Sequence, residues 1–199
     1  MRLTILLLCL AATASAGIIF SNLGPAGNPY GGAYTAAGTP PFSEGTVFRA
    51  AASGSLTDVL VPIANEPSGV LTFDLYADAS GQPGTLLEDW ANVSVPTSIT
   101  GLLTINSVAH PFLTAGNLYW FTTTINATTS GFGLQWAANN QGVSGGLWGS
   151  SPGFPWARSF SVDFPMPALQ LDSVPEPSTW LLFTCALSAV LWRRRATAR

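Results

Sequence analysis

The chain has 199 residues, with seven basic and ten acidic side chains, no lysine, one histidine and two cysteines, and a formal net charge of −3. Between Gly17 and Val174 only Arg49 and Arg158 are basic, against nine acids, a net charge of −7 that argues against a nucleic-acid partner, whose phosphates need a basic face. Cys9 and Cys185 both fall in apolar terminal segments, so the part between them has neither disulfide nor thiol chemistry to call on.

Met1-Arg2 is a basic start, residues 3–12 are an apolar core, and Ala14-Ser15-Ala16 is a small-residue cleavage site. This order is that of a secretory signal peptide over 1–16, cut between Ala16 and Gly17, and it implies passage through the Sec translocon and a signal peptidase. A Gly/Pro-rich segment follows over 17–44, where only Ile18-Ile19-Phe20 offers an edge strand and the remainder reads as loop.

From 45 to 173 the chain reads as one antiparallel β-sandwich, all-β and jelly-roll-like. Strands are predicted over 46–50, 56–63, 70–76, 85–95, 102–105, 117–125, 132–136 and 158–164, with a last one within 165–173. In 70–76, Leu71, Phe73 and Leu75 face one way and Thr72, Asp74 and Tyr76 the other, the period of two of a half-buried strand. Asp78 to Gly84 is a dense turn that makes a hairpin with the next strand. Residues 117–125 are large and apolar on both faces near their start, which places that strand centrally, and 142–155 reads as a loop rich in Gly, Ser and Trp.

Candidate chemistry is sparse. Trp90, Trp120 and Trp136 read as core, whereas Trp148 and Trp156 lie in Gly/Pro-rich stretches and are candidates for stacking on sugar rings. Asp74, Asp78, Glu88 and Asp89 flank the predicted hairpin and are weak candidates for a Ca²⁺ site, without the spacing of a calcium loop. Gly142 to Gly146 fits G-x-S-x-G around Ser144, but a nucleophile elbow needs a following helix and a later histidine, and the one histidine, His110, comes earlier. No catalytic residue and no cofactor is expected, and the chain is read as a non-enzyme.

The last segment, 174–199, joins Pro175-Glu176-Pro177 to an apolar run over 179–192 and then to Arg193-Arg194-Arg195. Two prolines one residue apart favour an extended backbone, and the arginines favour the cytoplasmic side. A helix over 178–192 would be ~22 Å long at ~1.5 Å per residue, short of the ~30 Å hydrocarbon core. Such a helix suits a temporary stop better than a permanent anchor, although plain anchoring is the other reading. The order resembles the PEP-CTERM sorting signal. That resemblance implies recognition by an exosortase and cleavage near the motif. It also implies an inner-membrane intermediate and then the cell surface or extracellular matrix of a Gram-negative bacterium, with an association to exopolysaccharide and biofilm. A second stretch, SGSLTDVLVPI with LTFDLYADASGQPGTLLEDW and HPFLTAGNLYWF, resembles the choice-of-anchor R domain, which implies extracellular placement and a β-sandwich but no site. The expected role is structural, adhesive or polysaccharide-associated; a carbohydrate-active enzyme or esterase is the alternative.

Overall fold

Short apolar and β-branched runs, broken by Gly, Pro and Asp turns, fold into fourteen strands, with no helix among the described residues. The computed structural model describes residues 17–25, 32–36, 41–65, 69–125, 133–151, 153–159 and 161–174. The signal peptide with Ala14 and Ala16, and the segment holding Pro175, Glu176, Pro177, the run over 179–192 and Arg193 to Arg195, lie outside them.

The strands, numbered in chain order, form three antiparallel sheets. Six lie in the order β13 (Ala157–Arg158), β12 (Trp148–Ser150), β3 (Phe42–Arg49), β10 (Leu118–Ile125), β6 (Gly69–Asp78) and β7 (Pro83–Val95). A five-stranded sheet runs β1 (Gly17–Ser21), β14 (Gln170–Val174), β4 (Gly54–Val61) and β8 (Leu103–Asn106), with β9 (Phe112–Leu113) also on β4. The third holds β2 (Ala33–Ala36), β11 (Leu134–Ala137) and β5 (Ile63–Ala64). The sheets face one another across a shared core, as the all-β pattern requires of a sandwich.

β10 organises that core. Its odd residues Tyr119, Phe121 and Ile125 turn inward, and its even residues Trp120, Thr122 and Thr124 turn outward, because side chains alternate along a strand. Phe121 stacks on Phe73 at 5.7 Å between ring centres and meets Trp90 at 6.1 Å and Trp136 at 5.9 Å, edge-on. Phe48 meets Phe20 at 5.1 Å, tying β3 to β1 across the two larger sheets. The buried indoles are satisfied: Trp90 Nε1 donates to Asn106 O and Trp136 Nε1 to Ala168 O, each at 2.9 Å. Trp90 and Trp136 are thus core residues, as their sequence surroundings suggest.

The first and last strands lie side by side, with Gly17 paired to Ser173 and Ser173 Oγ donating to Gly17 O at 3.3 Å. β1 is an edge strand, as expected, but the loop expected in the rest of 17–44 is corrected. β2 falls there and β3 begins at Phe42, so position 45 lies inside a strand, because Ile19 and Tyr34 bury their side chains in the common core. Two further corrections concern the end of the chain. Trp148–Ser150 pairs with β3 within the stretch expected as loop. The strand expected over 158–164 shrinks to Ala157–Arg158, since Phe164 N turns back to Ser161 O at 3.1 Å.

Glu88 of β7 points to the inner side, although its neighbour Asp89 points out. Its carboxylate accepts from Ser107 Oγ at 2.6 Å, Val108 N at 2.5 Å and Ala109 N at 3.1 Å, closing the turn after β8. His110, at φ 49°, completes that turn by placing Nδ1 at 2.9 Å from Leu56 O. Replacing Glu88 with Ala strips acceptors from three donors at once and is expected to cost ~2–4 kcal/mol. Urea unfolding measures this, and a change below ~0.5 kcal/mol, the range of an ordinary surface substitution, would contradict it.

Candidate functional site

The outward face of the six-stranded sheet carries an unbroken row. Arg158 pairs with Trp148, Trp148 with Gly45, Gly45 with Thr122, Thr122 with Asp74 and Asp74 with Asp89, one residue from each strand. Directly paired antiparallel residues share a face and stand in contact, so the row runs from a cation through aromatic rings to two carboxylates.

Trp120 sits one pair away from this row and is fully buried despite facing outward. Trp148 lies against it edge-on at 5.0 Å, and Trp156 at 5.8 Å. Its indole N–H donates to Asp78 Oδ1 at 2.7 Å. Gly45 makes room for the third ring: a Cβ there would stand 3.2 Å from Trp156 Cζ3 and 2.8 Å from Thr122 Cγ2. Gln82 Nε2 holds the Trp156 carbonyl at 3.2 Å, fixing the segment that carries the ring. Arg158 stacks over Trp148, 4.7 Å from the ring centre. The Trp148 indole N–H is enclosed without an acceptor. Trp148 and Trp156, expected as loop residues, are therefore half-buried parts of one tryptophan cluster, the first on a strand.

The four acids suggested for calcium do not converge. Asp74 and Asp89 are cross-strand neighbours on the outer face. Asp78 is taken up by the turn, accepting from Gly81 N at 3.2 Å and from Trp120. Glu88 serves the turn on the inner side. Among the described residues no three His, Cys, Asp or Glu side chains gather into a metal site. Glu88 and Asp89 act on different sides because successive side chains of a strand point to opposite faces of the sheet. Burial, and then the neighbouring Asp89 carboxyl, push Asp74 up to about 6, while the Tyr76 and Thr122 hydroxyls pull the other way.

Beyond this face, Ser144 forms an isolated bridge to Pro165 and His110 is spent on Leu56 O, each held by a different part of the chain. A recess of about 360 Å³ opens at the end of β10, lined by Arg49, Asp78, Gly116, Asn117 and Tyr119. Inside the sandwich, Glu44 is 5 % exposed beside Thr123 and Thr46, and its Oε2 and both hydroxyls have no hydrogen-bond partner. Burial pushes the Glu44 carboxyl up to about 8.

Tyr76, Thr122, Gln82, Gly45 and Arg158 were not singled out from sequence as parts of this face. The alternation of 70–76 already placed Tyr76 with Asp74; the other contributors depend on cross-strand register, which one sequence does not display.

The family described as PEP-CTERM protein-sorting motif matches residues 173–195. The match opens on the last two residues of β14 and covers the Pro-Glu-Pro tripeptide and the arginines, and it does not extend to the stretch that resembles the choice-of-anchor R domain. The chain therefore carries the sorting signal of an exported, surface-targeted substrate of exosortase. Comparison with curated proteins gives no match.

Unfolded Glu44 loses its proton near 4.5 and the folded carboxyl near 8, so across that window the native state holds a proton the unfolded state has lost. Stability falls as pH rises through the window, by at most ~1.4 kcal/mol per pH unit, and levels off above it. Asp74 adds to the fall between 3.8 and about 6. Glu44→Gln should flatten the decline between pH 6.5 and 8 in urea unfolding; an equally steep decline in the variant would contradict it. Gly45→Ala should lift the Trp156 ring from the sheet, cost ~1–3 kcal/mol and raise acrylamide quenching of tryptophan emission. Unchanged quenching would show that the ring does not rest on Gly45.

Proposed function

We propose that the protein is a non-catalytic module of the extracellular matrix or cell surface, processed by exosortase, which associates with polysaccharide through the outer face of its six-stranded sheet. The observation that carries this reading is the tryptophan row. Trp148 and Trp156 stand half-exposed on a rigid sheet and are braced by a buried third tryptophan. Aromatic rings held this way present apolar area at little cost in side-chain entropy, and the flanking Asp74, Tyr76 and Thr122 offer hydrogen-bonding groups to hydroxyls. The sorting signal supports delivery of that face to the outside. The structural or adhesive role extends this association: a sandwich whose termini lie together at one sheet edge leaves the opposite sheet free to meet a polymer.

Two measurements test the proposal together. The mature protein from its native host should have lost both terminal segments, with a C-terminus near Pro175 to Pro177 only when the exosortase is present. It should sediment with the host's extracellular polymer, and Trp148→Ala with Trp156→Ala should release it, leaving at most about a tenth bound, as expected for loss of ~1.4 kcal/mol. An intact C-terminus through Arg199, or undiminished sedimentation of the variant, would contradict the reading.

A further inference from the structure

We propose that the polymer taken by this face bears protonated amines, a glucosamine-type polysaccharide whose rings lie on Trp148 and Trp156 while an ammonium rests between Asp74 and Asp89. This rests on the polysaccharide reading above and names its substrate class.

Three observations lead there. First, Asp74 and Asp89 face each other directly across β6 and β7, an arrangement that like charges disfavour. Below about 6 a proton on Asp74, hydrogen-bonded to Asp89, relieves the repulsion; above it, a cation placed between them would do so. Second, the pair lies in the same row as the tryptophans. From β12 to β6 is three strand spacings, ~14 Å at ~4.8 Å each, a distance that an extended chain of a few sugar units covers. One polymer can thus reach rings and carboxylates together. Third, Arg158 stacks over Trp148 at the other end of the row, so a polymer's cation is directed to the carboxylates and away from that ring.

The competing occupants fit less well. An anionic polymer meets nine acids and two arginines between Gly17 and Val174, with the paired carboxylates at its contact point. A divalent cation bridging such a polymer would find two carboxylates and, among the described residues, no third acid, histidine or cysteine to complete its shell. An ammonium needs only acceptors, and the carboxylates, with the Tyr76 and Thr122 hydroxyls beside Asp74, supply them.

The test is calorimetric titration of the mature protein at pH 7 with three hexasaccharides: glucosamine, N-acetylglucosamine and a uronic acid, each at low and high NaCl, the last also with calcium. The glucosamine hexamer should bind about tenfold more tightly than the N-acetylated one at low salt, and salt should erase most of the difference, as screening of an exposed charge contact requires. In Asp74→Asn with Asp89→Asn the two affinities should come together, to within about twofold. Equal affinities in the wild type, a preference that survives the double substitution, or calcium-dependent uronate binding would overturn the inference. In those cases loss of binding in Trp148→Ala would still uphold the face as a polysaccharide site. If no hexamer binds, the polysaccharide reading falls and this inference falls with it.

Discussion

The structure depends on one strand that buries both of its faces. On β10, Phe121 meets aromatic rings from β6, β7 and β11 on the inside, while Trp120 is sealed by two further tryptophans on the outside. A strand of this kind cannot lie at an edge or face water. It is therefore flanked by β3 and β6 over nearly its whole length. Without disulfides in the exported part, this double burial, at ~1.5–3 kcal/mol for each large apolar side chain removed from water, replaces the covalent staples that many secreted domains use.

Two glutamates show how differently the same side chain behaves inside this frame. Glu88 has its carboxylate oxygens bonded to Ser107, Val108 and Ala109, so its burial is compensated and it holds a turn. Glu44 is equally buried but lies beside hydroxyls with which it makes no hydrogen bond, and burial pushes its carboxyl up to about 8. The outer face is the converse: Asp74 and Asp89 lie directly across from each other on neighbouring strands, in the same row as Trp148.

Much of the sandwich was legible in the sequence, because alternation along 70–76, the turn from Asp78 to Gly84 and the doubly apolar 117–125 each carry a local signal. What was not legible came from long-range pairing. β2 has only four residues in a Gly/Pro-rich stretch, and its place is set by Leu134 to Ala137, a hundred residues on. Trp148 reads as loop because Gly145, Gly146 and Gly149 surround it; pairing with Gly45 makes it a strand. The grouping of four acids failed because alternation along β7 sends Glu88 inward and Asp89 outward, and because the turn and Trp120 take up Asp78. The sorting signal, by contrast, was fully visible, since its order of proline, apolar run and arginine is itself local.

A polymer docked on the outer sheet would meet Trp148 and Trp156 and leave the core tryptophans untouched. Indole N–H resonances of the exported protein, followed during titration with fragments of the host's own matrix polysaccharide, test it most directly. Shifts are expected for Trp148 and Trp156, a smaller one for Trp120 beneath them, and none for Trp90 and Trp136, whose indoles are bonded to Asn106 and Ala168 inside the sandwich. Saturating fragment with all five resonances unmoved, or shifts confined to Trp90 and Trp136, would contradict it.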